Sequence, residues 1–152
     1  MRHHTKDKGD LGLACVLVDL IKHDIQVALP MSEHLPFDLV AIHASGEMMK
    51  ISVKYRVMAK TGSVTVETRS IWADRNGTHH RQHNPGDYDA VAIYCPDMDQ
   101  CYYVRARELS PSGLTLRITD PENHQKVGIS LARFFVDPDR LFAEPGTAGA
   151  TD

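Results

Sequence analysis

The stretch Lys50–Arg56, KISVKYR, alternates polar and apolar residues along its whole length. Such alternation is typical of a β-strand that buries one face in a hydrophobic core, because successive side chains point to opposite faces. The apolar face carries Ile51, Val53 and Tyr55. The opposite face carries a polar and mostly basic set, namely Lys50, Ser52, Lys54 and Arg56. The pattern leaves two interpretations of this second face: a solvated surface, or a surface with a function.

The composition of the chain is typical of an ordinary soluble globular protein. The chain has 152 residues, of which 42% are hydrophobic and 24% are charged, enough for one domain with a substantial core. We predict this domain over residues 8–142 and a disordered tail over residues 143–152. No segment approaches the roughly 20 apolar residues that span a bilayer, and the polar start lacks a signal-peptide segment. We therefore expect a cytoplasmic location and no membrane partner.

Basic residues are concentrated in one part of the chain. The whole chain has a formal net charge of −3, which by itself does not indicate a protein that binds nucleic acid. Between Lys50 and Arg81, however, seven basic residues stand against only two acidic ones, Glu67 and Asp74. Phosphate contact requires such a local basic segment, since neutralising phosphates releases counterions. Solvated strand faces also collect lysine and arginine, so the charge pattern alone leaves both interpretations open.

Hydrophobic periodicity predicts one helix followed by strands. Apolar residues at helical spacing predict an amphipathic helix over about residues 10–22. The next segments predict strands at IQVALP (25–30), FDLVAIHA (37–44), MMKISVKYRVMA (48–59) and SVTVETRSIW (63–72). We expect the last three of these to form an antiparallel meander. Residues 73–87 are polar and rich in structure-breaking residues, which favours a surface loop.

The second half of the chain predicts a further group of short elements. YDAVAIYCP (88–96) is apolar enough for a central strand, and QCYYVRA (100–106) follows as its pairing partner. GLTLRITDP (113–121) predicts one more strand, and ISLARFFV (129–136) a short helix or helical turn. The predicted fold class is α/β, with an N-terminal helix followed by a mixed, largely antiparallel sheet.

Several kinds of chemistry lack the residues they need. Three cysteines form an odd number at spacings that match no standard zinc pattern, so we expect free thiols. His79, His80 and His83 lie in the predicted loop without a defined ligand geometry, which favours a solvated or phosphate-contacting loop over a metal site. No nucleophile elbow and no glycine-rich phosphate loop is present.

Asp38 and Lys54 form the most informative pair of the sequence. Asp38 interrupts an otherwise apolar predicted strand, where a carboxylate is costly unless it is paired, solvated or bound to a cation. Lys54 lies on the polar face of the next strand, so a hairpin would place the two residues side by side. One interpretation is a salt bridge at a sheet edge. The other is a site in which Asp38 holds a divalent ion and Lys54 stabilises charge on a phosphate.

An ordered series of segments resembles a known enzyme family. The segments are KGDLGLACVLVDLIKHDIQVALPMSEHLPFDLVAI (8–42), GEMMKISVKY (46–55), DYDAVAIYCPDMDQCYYV (87–104), LTLRITDPENHQ (114–125) and ARFF (132–135). In this order they closely resemble the PD-(D/E)xK nucleases, in the branch that includes group I intron homing endonucleases. The resemblance covers nearly the whole chain and implies a restriction-endonuclease-like core.

The resemblance assigns roles to individual residues. It implies that Asp38 binds Mg²⁺ (or Mn²⁺), that the backbone carbonyl of Val53 completes the inner coordination shell, and that Lys54 is the catalytic lysine. It also implies double-stranded DNA as the substrate and assembly into a homo-oligomer. The basic segment then has a partner, with phosphate contacts expected from Lys50, Arg56, Lys60, Arg69 and Arg81.

Two positions depart from the family pattern. The family usually has a glutamate on the first helix, where this chain has Leu13, and a glutamine or glutamate two residues before the lysine, where it has Ser52. Mg²⁺ often takes only one or two protein carboxylates, so Asp38 alone is compatible with activity, and a migrated acid at Glu33 or Glu47 is an alternative. The resemblance thus implies a metal-dependent DNA endonuclease whose catalytic site includes Ser52. The alternatives are a catalytically degenerate nuclease that still binds DNA, and a small interaction domain with a solvated strand face.

Overall fold

The structure is a computed structural model that describes residues 4–82, 84, 86–120 and 128–143, with only the backbone for residues 69–72 and 82. Its helix α1 spans His4–Lys22. Its strands are β1 (Gln26–Ala28), β2 (Leu39–Ile42), β3 (Met48–Tyr55), β4 (Ser63–Val66), β5 (Arg69–Asp74), β6 (Gly77–Gln82), β7 (Ala90–Cys95), β8 (Gln100–Arg105), β9 (Leu114–Arg117) and β10 (Ser130–Leu131). Short 3₁₀ helices span Ala106–Glu108, Ala132–Phe134 and Pro138–Leu141.

A five-stranded sheet forms the centre of the fold, in the order β1-β2-β3-β7-β8. The strands pair antiparallel except for β3 and β7, which pair in parallel from Ile51 opposite Ala90 to Tyr55 opposite Tyr94. The predicted mixed, largely antiparallel sheet is therefore confirmed. The KISVKYR stretch lies mostly in β3, at the middle of this sheet.

Helix α1 covers one face of the central sheet. Val16 and Leu20 are fully buried and pack in one cluster with Ile51 of β3 and Ala92 of β7. The helix approaches β3 closely at Gly12, where an added Cβ would lie 3.4 Å from the Cβ of Tyr55. The predicted N-terminal helix is confirmed, and it begins at His4 rather than near residue 10.

A second, three-stranded sheet contributes to the core on the other face of the central sheet. It has the order β10-β9-β4. Val64 of β4 and Leu116 of β9 share a buried cluster with Val91 and Ile93 of β7. Because Val91 and Ile93 alternate with Ala90 and Ala92, they belong to the face of the central sheet opposite α1. The central sheet thus has a buried core on each face.

The predicted meander was wrong in its third strand. β2 and β3 do form the expected hairpin, but β4 pairs with β9 in the second sheet, and the neighbour of β3 is β7. Residues 63–72 also form two strands of different sheets rather than one. Alternating hydrophobicity predicts that a segment is a strand, but it does not specify which strand is its partner.

The predicted surface loop over residues 73–87 was also partly wrong. Its first part belongs to a hairpin in which β5 and β6 pair from Arg69 opposite Gln82 to Asp74 opposite Gly77. The predicted strands at β7, β8 and β9 are confirmed, as is a helical turn near the end of the described chain. The predicted disordered tail lies, apart from Ala143, outside the described residues. No helix in the described part of the chain is long and apolar enough to cross a membrane.

Candidate functional site

Asp38 lies at the point where β2 begins, next to the middle of β3. Its N–H donates a hydrogen bond to the carbonyl of Ile51 at 2.9 Å, so the backbone pairing of β2 and β3 extends to Asp38. Leu39, the next residue, is fully buried in the cluster against α1. Because side chains alternate along a strand, Asp38 points to the other face of the sheet, the face that carries Ser52 and Lys54.

The Asp38 carboxylate is held by the backbone of β3. Its Oδ2 atom accepts a hydrogen bond from the N–H of Val53 at 2.6 Å. Oδ1 accepts no hydrogen bond from any residue that the structure describes, and the Asp38 side chain is exposed. The carboxylate is therefore oriented by one oxygen, while the other oxygen remains available to a ligand.

Lys54 is half-buried on the same face. Burial lowers the pKa of its ammonium group, the nearby charge of Arg56 lowers it further, and the charge of Asp38 partly opposes both. The Lys54 ammonium lies more than 4.0 Å from the Asp38 carboxylate, so the two do not form the direct salt bridge that was one interpretation of the sequence. A lysine whose pKa is lowered and that lies near a carboxylate is a candidate for a functional site.

Ser52 shows that the polar face of β3 is not simply solvated. Its side chain is only 4% exposed, and Ser52 pairs with Val91 of β7. Leu13, the other position that departs from the family pattern, is partly buried in the cluster between α1 and the central sheet. Of these two positions, only Ser52 shares the strand face of Lys54.

Two of the five predicted DNA-contacting residues flank this site on β3 and just beyond it. The Nζ atom of Lys50 donates to the carbonyl of Gly86 at 2.5 Å and lies 5.9 Å from the centre of the Phe37 ring. Arg56 is half-buried, and its Nη1 atom donates to the carbonyl of Tyr55 at 2.9 Å. Both cations therefore have intramolecular contacts that a phosphate would supplement or replace.

The other three predicted contact residues lie further away along the chain. Lys60 is exposed in the turn between β3 and β4, and Arg81 is exposed on β6. Arg69 begins β5, and its side chain lies outside the described part. The structure therefore distributes the basic segment over the central sheet, one turn and the β5–β6 hairpin rather than over a single strand face.

The oxygen donors at the site suit a hard divalent cation. Asp38 offers Oδ1, and Val53 offers its backbone carbonyl. The N–H and C=O groups of one strand residue point to the same neighbouring strand. Because the Val53 N–H binds Asp38, the Val53 carbonyl points to the same side of β3. This side has no β2 partner at Val53, since the last pair of β2 and β3 is Leu39 with Ile51. One carboxylate with a carbonyl fits Mg²⁺, which keeps several waters and takes further oxygens from substrate phosphate.

Other metal donors are not assembled in the described residues. No group of three or more His, Cys, Asp or Glu side chains in that part of the chain is arranged to hold a metal ion. His79 contacts Asp74 instead, with 2.9 Å between Nε2 and Oδ1, and His83 lies outside the described residues. The three cysteines are free thiols, as expected from the sequence. Burial raises the pKa of the Cys101 thiol to about 12, which makes it an inert buried residue.

Sequence reasoning missed two features of this region. The bond from the Val53 N–H to Asp38 had no sequence signal, because it depends on the register between β2 and β3. A cavity of about 650 Å³ also lies at the opposite end of β3, with Met49, Asp89 and Arg105 in its lining. The predicted alternative acid Glu47 lines this cavity, away from Lys54, and Glu33 is exposed in the loop before β2.

Comparison with known proteins identifies the fold and the family. A family model described as PD-(D/E)XK endonuclease matches residues 3–137. Among solved structures, the chain is similar to the bacterial homing endonuclease I-Ssp6803I, with a TM-score of 0.70 and 23% sequence identity over 82% of this chain and 86% of that one. The comparison with curated proteins found no match. The structural likeness confirms the predicted restriction-endonuclease-like fold.

Proposed function

Since this chain belongs to the PD-(D/E)XK endonuclease family, we propose that it is a divalent-metal-dependent endonuclease that hydrolyses phosphodiester bonds in double-stranded DNA. The observation that carries this proposal is the arrangement of Asp38 and Lys54 on one strand face. An oriented carboxylate with an available oxygen lies near a lysine whose pKa is lowered by burial. The two side chains supply opposite charges without neutralising each other in a direct ion pair.

We assign the metal to Asp38 and to the backbone carbonyl of Val53. When bound, Mg²⁺ (or Mn²⁺) polarises a phosphoryl oxygen and makes water more acidic. The Val53 N–H keeps the Asp38 carboxylate in one orientation, which reduces the cost of ordering it when a ligand binds. Ser52 is assigned to the same site because it is buried on the strand face that carries Lys54.

Lys54 supports charge development on the phosphate. Its partial burial places the charge of its ammonium group where water screens it poorly. A phosphodiester gains negative charge on its non-bridging oxygens as water attacks, so a fixed cation stabilises the transition state more than the ground state. The role of Lys54 is therefore electrostatic, and its charged form is the active one.

Lys50, Arg56, Lys60, Arg69 and Arg81 are the proposed phosphate contacts that hold the DNA. These phosphate contacts affect affinity and its salt dependence rather than the chemical step.

We also propose a homo-oligomer, because one site of this kind cuts one strand and a double-strand break needs two copies. We propose that this homo-oligomer acts in the cytoplasm.

Plasmid nicking tests the proposal directly. Supercoiled plasmid is incubated with the protein in Mg²⁺, in Mn²⁺ or in EDTA, together with Asp38→Asn and Lys54→Met variants. The matched controls are Asp24→Asn, in the exposed turn after α1, and Lys22→Met, at its exposed last residue. We expect metal-dependent nicking that both site variants lose and both controls keep. Nicking that survives in the site variants, or that needs no metal, would contradict the assignment.

A second candidate function is a DNA-binding protein that has lost catalysis. The observation that favours it is the single carboxylate at the site, with serine and leucine at the two departing positions. This candidate predicts salt-sensitive retention of DNA without nicking in either metal. Absence of both cleavage and binding at low salt would rule out both candidates.

A further inference from the structure

We propose that the β5–β6 hairpin is the element that reads DNA sequence, by entering the major groove with Thr78 and His80 directed at base edges. The inference rests on the proposed function, in which double-stranded DNA is the substrate, and adds to it the residues that select the target. Four observations support it: the isolation of the hairpin, the arrangement of its faces, its charge and its width.

The hairpin is a separate structural unit. β5 and β6 form a two-stranded sheet that is distinct from the central sheet and from the second sheet. Its strands pair over six residues each, which corresponds to roughly 20 Å of length. The described side chains along it, from residue 73 to residue 81, are exposed except that His79 is half-buried. A protruding ribbon of this length can reach DNA that is held at the central sheet.

The two faces of the hairpin differ in their chemistry. Ala73 pairs with Thr78, and His80 shares the face of Thr78 because it follows two residues later. On the opposite face, Asp74 accepts hydrogen bonds from the His79 ring at 2.9 Å and from the Asn76 N–H at 2.7 Å. The hydrogen bond from His79 lowers the pKa of the Asp74 carboxyl, and the one from Asn76 adds to this effect.

This arrangement leaves the Thr78 face free of acidic residues among its described side chains. Thr78 offers a hydroxyl that donates or accepts and a methyl group that packs against a thymine methyl. His80 offers one ring nitrogen that donates and one that accepts when it is neutral. These groups match the donor and acceptor pattern that base pairs present in the major groove.

Charge and dimensions favour the major groove. Arg75 at the tip of the hairpin is an exposed cation that can contact a phosphate beside the groove, whereas the exposed Arg81 lies on the face of β6 opposite Thr78 and His80. Two strands lie about 5 Å apart, and their side chains add to this width. Such a ribbon fits the major groove, which is about 12 Å wide, better than the minor groove, which is about 6 Å wide.

A selection from a random duplex library tests the inference. The intact protein, in EDTA to prevent cleavage, selects bound duplexes from the library, and affinities for the selected and a scrambled duplex are then measured. Thr78→Ala/His80→Ala is compared with Thr65→Ala/His23→Ala, in which the same residue types change at exposed positions on β4 and after α1. Circular dichroism verifies that each variant is folded.

We expect the wild type and the control variant to prefer the selected duplex by roughly tenfold or more. The Thr78→Ala/His80→Ala variant should lose most of this preference, while its affinity for the scrambled duplex changes less than about twofold. Selection of the same sequence by this variant, or binding of DNA by the wild type without any preference, would overturn the inference. Neither result affects the nuclease proposal, which is judged by plasmid nicking with the Asp38 and Lys54 variants. A wild type that binds no DNA overturns the inference and removes its premise.

Discussion

The Oδ2 atom of Asp38 accepts a hydrogen bond from the backbone N–H of Val53 at 2.6 Å. This bond gives the carboxylate a structural role, since it replaces the strand pairing that β2 no longer provides at this point of β3. The same bond orients the residue that we assign to the metal. Under the proposed function, Asp38 therefore affects both stability and metal binding, and substitutions there must separate the two effects.

The first prediction separates them by comparing two substitutions of Asp38. Asp38→Asn keeps an oxygen that accepts from Val53, so we expect its free energy of unfolding to change by less than about 0.5 kcal/mol. Asp38→Ala removes the acceptor and should cost about 1 kcal/mol. Both should reduce metal-dependent nicking by more than the roughly 10- to 100-fold that outer-shell substitutions cost. Urea denaturation and plasmid nicking measure the two effects, and equal unfolding free energies for both variants would disprove the structural role.

The same region shows what the sequence predicts well and what it does not. The alternation in KISVKYR correctly placed Ile51 and Val53 in the core against α1. It did not reveal that Ser52 is buried, because period-two patterning reports which residues share a face, and not what covers that face. The partner of β4 was missed for a related reason: a sheet partner more than 40 residues away leaves no local signal.

The hairpin at residues 69–82 was missed although a local signal exists. Asn76-Gly77 is a strong turn signal for hairpins, and Gly77 has a φ of 121°, which favours glycine. The residues after the turn, from Thr78 to Gln82, are all polar, so hydrophobic patterning did not predict the second strand of the hairpin. The assignment of Asp38 and Lys54 to the site rests on the family resemblance and stays a prediction, whereas their spacing beyond ion-pair distance required the folded chain.

The second prediction concerns the pH dependence that Lys54 gives to folding. Burial and Arg56 lower its pKa from the ordinary value of 10.5, so the protonated side chain destabilises the folded state. This penalty is complete below the lowered pKa, fades as pH rises from that pKa towards 10.5, and is absent above it. Lys54→Met should therefore be more stable than the wild type at pH 7, by a margin that shrinks across this alkaline window.

Urea denaturation at a series of pH values measures this margin. The matched control is Lys22→Met, at the exposed end of α1, and the quantity of interest is the difference between the two variants. A Lys54→Met variant that is less stable than the wild type at pH 7, or whose margin does not vary with pH, would show that the Lys54 charge is not penalised in the folded protein.

The third prediction tests the second sheet through Gly113. Its φ is 122°, and a Cβ at this position would lie 1.9 Å from the carbonyl oxygen of Val66. Gly113→Ala should therefore lower the free energy of unfolding by about 3 kcal/mol or more, since it adds a backbone clash to an unfavourable φ. Gly46→Ala is the matched control: its φ is 87° but no atom lies within 4 Å of the added Cβ, so only about 1 kcal/mol is expected. Thermal melting of both variants measures their losses of stability. If Gly113→Ala loses no more stability than Gly46→Ala, β4 and β9 do not pack as described.

The last prediction returns an acid to the site at Ser52. This residue lies on the strand face of Lys54 and directly before Val53, whose N–H binds Asp38, so Ser52→Glu places a second carboxylate near the proposed metal ligands. We expect Mn²⁺ affinity to rise roughly tenfold, because charge count sets the affinity of oxygen sites. The substitution buries a carboxylate where serine is 4% exposed and should cost about 2 kcal/mol of stability.

Ser63→Glu on β4, at a serine that is 6% exposed, is the control: it should cost stability without placing a carboxylate near the proposed metal ligands. Calorimetric titration with Mn²⁺ and plasmid nicking measure the gain; if Ser52→Glu binds Mn²⁺ no better than Ser63→Glu, the metal is not held at Asp38 and Val53.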